Sequence, residues 1–296
     1  MNLIHKSYDL ATYIFDPIHY FWEKDSTQRA VAGLLIIVFI LALGSIEMKR
    51  QGLVTGHIAT LIPNSHYMAI NLAFTLVLFL EVISLIFTLP CSISKAVGKQ
   101  FEILALILLR SAFKTLADFP EPITITGHEK ELWIILADGG GALVIFALLG
   151  VYTLLRRRLE EGLKGKGGQK LFKFVAAKKM VALIILGIFI GMCVKNSILI
   201  LKGETPFHFF SSFYTVLIFS DIMLVLIAQR FLPEFKAVFR NSGFALATLL
   251  IRLALTAPPY YNVLIGTGSA VFACLLTLTY ITFCSEKQPY VSRKKI

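Results

Sequence analysis

The sequence predicts an all-α polytopic membrane protein: eight transmembrane helices as two parallel-repeat four-helix units, preceded by an N-terminal amphipathic helix. Three observations predict it. Apolar residues make up 56% of the 296 positions and charged residues 16%, against about 45–50% and 25% in soluble proteins. The mean hydropathy is +0.75, more than a water-soluble domain with so few charges could bury. Apolar runs of membrane-crossing length recur along the chain, and a patterned stretch of the first half returns about 140 residues later. Together these exclude a disordered chain, a disulfide scaffold and an ordinary soluble enzyme.

Residues 1–29 come first. Leu3, Ile4, Tyr8, Ala11, Ile14, Phe15 and Ile18 recur at three- and four-residue steps and lead into Tyr20, Phe21 and Trp22. That is an amphipathic helix with an aromatic foot, lying along the cytoplasmic surface and bent at Pro17. A partner-binding helix is the sharper alternative. Asp9, Asp16, Glu23 and Asp25 precede the first apolar run, a pattern unlike the basic start of a cleavable signal peptide.

Six runs are long enough to cross a bilayer, about 17–25 residues: 30–46, 68–89, 132–155, 180–201, 209–228 and 263–284. Two weaker ones, 101–117 with Arg110 and Lys114 and 242–257 with Arg252, count as spans because charge and symmetry require them. With eight spans and a cytoplasmic N-terminus, the outer segments hold only Lys49, Arg50, Lys130 and Lys202. The other loop cations, Arg156, Arg157, Arg158, Lys178 and Lys179 among them, fall inside, as the positive-inside rule requires. The net charge of +11 is then a cytoplasmic collar facing anionic lipid, not a nucleic-acid site. Cys91, Cys193, Cys274 and Cys284 lack metal-ligand spacing and read as small apolar fillers.

The repeat fixes the domain organisation. Glu81 aligns with Asp221, Lys95-Ala96-Val97 with Lys236-Ala237-Val238, and Arg110 with Arg252; Gly139-Gly140-Gly141 aligns with Gly266 and Gly268, and Tyr152 with Tyr280. This gives a first four-helix unit at 30–158, a basic glycine-rich linker at 159–178, a second unit at 179–285 and a basic tail at 286–296. An even number of spans per unit makes the repeats parallel, about an axis along the membrane normal.

The pattern of FLEVISLIF and ILALILLRSAFK in the first unit, and of FSDIMLVLI and FRNSGFALATLLIRLALTAPP in the second, resembles the phosphate-starvation-inducible PsiE family of small four-span bacterial membrane proteins. The tandem fusion departs from that family. The resemblance implies a bacterial inner-membrane location and a stress-linked role, and no substrate.

A charge at mid-bilayer costs about 2.5–3.5 kcal/mol on insertion scales, so its partner should be identifiable. At 1.5 Å per residue, Glu81 falls about 4 Å to the cytoplasmic side of its span's centre and Arg110 near the centre of the next. Glu81–Arg110 and Asp221–Arg252 are therefore the expected buried ion pairs, with arginine's planar fork suited to engaging a carboxylate through two bonds. The plainer reading is a helix lock; a proton or ion pathway and a ligand-anion site are the alternatives. Arg110, Lys114 and Asp118 at i, i+4 and i+8 form a polar stripe that Asp138, Lys195, Asn196 and Glu47 could extend, or these could be interface residues that snorkel. The glycine clusters read as close helix packing. Scattered histidines and the lack of any H-E-x-x-H, G-x-S-x-G or P-loop pattern argue against catalysis, and no metal or cofactor is expected. The expected role is non-catalytic, structural or stress-signalling, with transport through the arginine–acid pairs as the alternative. The expected partners are the lipid bilayer, with anionic lipids on the cytoplasmic face, and a second copy or another membrane protein.

Overall fold

The computed structural model describes residues 2–53, 62–63, 65–120, 124–162, 169–202, 204–205, 207–231 and 233–285. The described residues form nine α-helices and no strand: α1 (Asn2–Glu23), α2 (Asp25–Arg50), α3 (Tyr67–Thr88), α4 (Ile93–Lys114), α5 (Glu129–Gly162), α6 (Gln169–Leu201), α7 (Phe209–Phe231), α8 (Phe235–Thr256) and α9 (Tyr261–Ser285). Seven of them, α2, α3 and α5 to α9, are long and apolar enough to cross a membrane. The chain is a multi-pass helical membrane protein. Helix α4 falls outside the seven, because Lys95, Lys99, Glu102, Arg110 and Lys114 interrupt its apolar residues.

Local chemistry sets the joints. Pro90 follows α3 where the helix must stop, and the Ser92 hydroxyl accepts a hydrogen bond from the Lys95 N–H at 3.3 Å to cap α4. This tight turn makes α3 and α4 an antiparallel hairpin. The long helices overrun the expected linker: α5 continues to Gly162 and α6 begins at Gln169, so 169–178 is helix where the sequence suggested a joint. Residues 163–168, with Lys164 and Lys166, and the basic tail at 286–296 lie outside the described residues.

Two hydrophobic clusters hold the molecule together, and neither belongs to one half of the chain. The first combines Phe101, Leu104 and Leu108 of α4, Ile145 and Tyr152 of α5, Phe244 and Ile251 of α8, and Ala273 and Leu276 of α9. The second combines α3, α6 and α7 around Val82, Ile86, Val181, Phe189, Phe213 and Leu217. Helix α2 is peripheral, packed on α3 and α1 with Leu34, Ile37 and Leu41 exposed.

Helix α1 packs against α3 and α6. It carries Pro17 without interruption, and its Ala11 and Phe15 are buried, Phe15 edge-on to Phe87 of α3. Asp16 pairs with Lys179 of α6 at 2.6 Å, and the Trp22 indole N–H donates to the Ser84 hydroxyl at 3.0 Å. Leu10, Tyr13, Ile14 and Phe21 remain exposed on its other side.

The α5–α9 contact has a definite direction. The Asn262 amide donates to Asp138 at 2.8 Å, and farther along both helices the Cys274 thiol meets the Leu148 carbonyl at 3.6 Å. Both partners advance together, so the helices run parallel. At the Asp138 end, a Cβ on Gly141 would strike both γ-methyls of Val263, and one on Gly266 would crowd Ile145 and Leu104. Gly139, Gly140 and Gly268 have open space beside them, so only part of each glycine cluster serves close approach. Gly141→Leu should therefore lower the melting midpoint in detergent, equivalent to about 1–3 kcal/mol of overpacking. Gly140→Leu should leave the midpoint nearly unchanged, and Val263→Ala should recover part of the Gly141→Leu loss.

Candidate functional site

The site builds up from the hairpins. Because α3 returns directly as α4, Glu81 faces the last two turns of α4, where Arg110 forms an ion pair with it through Nη1 and Oε1. Their side chains are 23% exposed for Arg110 and 10% for Glu81. Helices α7 and α8 repeat the arrangement: Arg252 Nε lies 3.7 Å from Asp221 Oδ2, and these side chains are 0% and 7% exposed. The first pair sits at a rim and the second is sealed.

Two details differ from expectation. Helix α4 starts at Ile93, ahead of its apolar stretch, so Arg110 lies four residues before the helix end and not at its midpoint. Neither arginine makes the two-bond fork; each approaches its acid through a single nitrogen, and Arg252 Nε, Nη1 and Nη2 have no hydrogen-bond partner.

The polar stripe does not form. Helix α4 ends at Lys114, and Thr115–Asp118 winds as a 3-10 turn, which breaks the i+4 register. Lys114 and Asp118 are exposed. Lys195 is exposed too, its amine 5.9 Å from the centre of the Phe207 ring. Asp138 does not snorkel: it is buried and tied to Asn262 across the α5–α9 contact. Glu47 pairs with His66 at 3.3 Å.

Four polar residues belong to the site that the sequence reading passed over. Gln100, Asn241 and Thr248 are buried and, with Asp221, line a cavity of about 30 Å³ between α4, α7 and α8. That volume suffices for a water molecule, which needs about 10–15 Å³. The Gln100 side-chain carbonyl has no hydrogen-bond partner, while that of Asn241 accepts from Arg240 at 3.3–3.4 Å. Tyr214 is buried in α7, seven residues before Asp221 and so on the same face of that helix. Gln100 and Asn241 each fall one residue outside the apolar run that defined their span. Only extending the helices past the charged ends would have revealed them. Lys178, assigned to the linker, is buried in α6, donates to the Cys91 carbonyl at 2.9 Å and stands 4.5 Å from the centre of the Phe174 ring.

The arrangement can hold helices at fixed separation and register; the chemistry present is charge neutralisation. Removing one member of a buried pair strands the other, at about 3–5 kcal/mol. A stranded carboxylate can neutralise itself by taking up a proton, whereas a guanidinium cannot give one up. Asp221→Asn should therefore lower the melting midpoint in detergent more than Arg252→Gln does. Glu81→Gln should be milder than Asp221→Asn, because Arg110 can reach the surface.

Comparison of the chain with family models, with curated proteins and with solved structures finds no match.

Proposed function

We propose that the chain is an eight-span, non-catalytic protein of a bacterial inner membrane, with both termini cytoplasmic, that acts as a structural or stress-signalling module built from two tandem PsiE-like units. The observation that carries this reading is the closure of both charge pairs, Glu81–Arg110 and Asp221–Arg252, while the remaining stripe residues point elsewhere. A lock needs only the pairs; a conduit needs further polar groups in line with them.

Packing supports α4 as the eighth span. It shares its core with α5, α8 and α9, and the Tyr152 hydroxyl at the far end of α5 donates to the Ser94 carbonyl at the start of α4 at 2.8 Å. A helix flanked along its length by three membrane-crossing helices crosses with them. The duplication is supported by α4 and α8, each 22 residues long with its arginine four residues before the end. The parallel course of α5 and α9, the last helices of the two units, supports it again. The PsiE-like character rests on the residues of α3, α4, α7 and α8 named above.

Transport has one observation in its favour: the Arg252 nitrogens lack hydrogen-bond partners, and Asp221 borders a cavity. Proteoliposome flux separates the two readings. The lock predicts leakage of protons and small ions no faster than from protein-free vesicles. Gradient-driven flux that Arg110→Gln or Arg252→Gln abolishes would establish the conduit. The charge swap Glu81→Arg/Arg110→Glu should recover most of the melting midpoint that either change alone loses.

Orientation has a separate test. Cys91 lies on the α3–α4 turn, exposed at the surface. The helix ends around the turn partly desolvate its sulfur, and this, with the Glu23 carboxylate adding to it, raises its thiol pKa above the ordinary 9.0. Thiolate is the reactive form, so maleimide labelling should quicken about tenfold per pH unit below that pKa. In intact cells expressing a variant whose only cysteine is Cys91, an impermeant maleimide should label only after permeabilisation. Labelling without it would invert the topology.

A further inference from the structure

A groove of about 510 Å³ opens between the first turns of α6 and the last turns of α7, with Tyr8 of α1 at its edge. Its walls include Met180, Ile184, Met223 and Ile227, and its polar end carries Lys173 and Arg230. Nearby cations are engaged: Lys178 donates to the Cys91 carbonyl, and Lys179 pairs with Asp16. Lys173 and Arg230 have no carboxylate partner among the described residues.

From these features we infer that the groove is a binding site for one anionic phospholipid, its phosphate held between Lys173 and Arg230 and one acyl chain laid along α6 and α7. The dimensions fit. Lys173 to Ile184 spans about 16 Å of helix at 1.5 Å per residue, and one leaflet contributes about half of a 30 Å hydrocarbon core. The lining fits as well, because methionine side chains adapt to a flexible chain. Arginine's fork suits phosphate, and each cation near the membrane surface adds affinity for anionic lipid. A second copy of the chain suits the groove poorly: a two-fold contact through this face would bring the same cations together. The inference deepens the membrane reading above and depends on α6 and α7 crossing the bilayer, not on the role of the ion pairs.

Native mass spectrometry of the full chain in detergent tests it, with phosphatidylglycerol and phosphatidylcholine titrated side by side. The wild type should retain one phosphatidylglycerol at a concentration about tenfold below that needed for phosphatidylcholine. Lys173→Gln/Arg230→Gln should erase that preference, and Lys130→Gln/Lys202→Gln, neither of which lines the groove, should keep it. Melting midpoints without added lipid check that each variant is folded. Equal retention of the two lipids by the wild type, or an unchanged preference in the Lys173/Arg230 variant, would overturn the site. Displacement of the lipid by millimolar inorganic phosphate would overturn its identity as a lipid site. None of these outcomes bears on the flux or labelling tests, so this site and the proposed function can fail separately.

Discussion

The position of α4 depends on a carboxylate. Its charges keep it from qualifying as a span on its own, yet Phe101, Leu104 and Leu108 place it inside the principal core against α5, α8 and α9. A guanidinium carried into such surroundings must be neutralised, since the group does not readily shed its proton. Glu81, delivered by the neighbouring arm of the hairpin, meets Arg110. With that charge met, the buried face of α4 around Phe101, Leu104 and Leu108 can pack as its neighbours do. Asp221 and Arg252 satisfy the same constraint for α8.

Under the proposed duplication, the polar residues between the two units become easier to understand. In the parallel α5–α9 pair, Asp138 and Asn262 face each other from similar levels. Gln100 of α4 and Asn241 of α8 share a cavity and occupy nearly the same position in their helices. A two-fold relation brings equivalent surfaces into contact. A polar residue on that surface then meets its counterpart, and amides suit such a meeting because each carries both donor and acceptor. The hydrophobic clusters follow the same logic: the third and fourth helices of both units merge into one core, which two self-contained bundles would not do.

Much of this was legible in the sequence. Apolar run length located the helices long and apolar enough to cross a membrane, and the i, i+3, i+4 pattern located α1. The pairing of Glu81 with Arg110 and of Asp221 with Arg252 followed from the high cost of unpaired charge in hydrocarbon. Helix ends were less legible, because hydropathy stops at the first charged residue while a helix does not. That is why Gln100, Asn241 and Lys178 were missed and why Arg110 was set at the middle of its helix. Spacing along a helix also misled at Asp118, where the 3-10 turn changes the register. The docking of α1 could not be read at all. An amphipathic stripe looks the same against lipid as against protein, and only partners such as Ser84, Phe87 and Lys179 distinguish the two.

The two charge pairs share a chemistry and differ in their surroundings, and that difference bears on what each can do. Asp221 and Arg252 are enclosed, so separating them would strand both charges in the interior. Such a pair holds its helices in one arrangement. Arg110 is nearly a quarter exposed beside the end of α4, where water or a lipid headgroup can stand in for Glu81. Separation there is cheaper. The enclosed pair therefore fixes its two helices more firmly than the pair at the rim, although both join an arginine to an acid of the preceding helix.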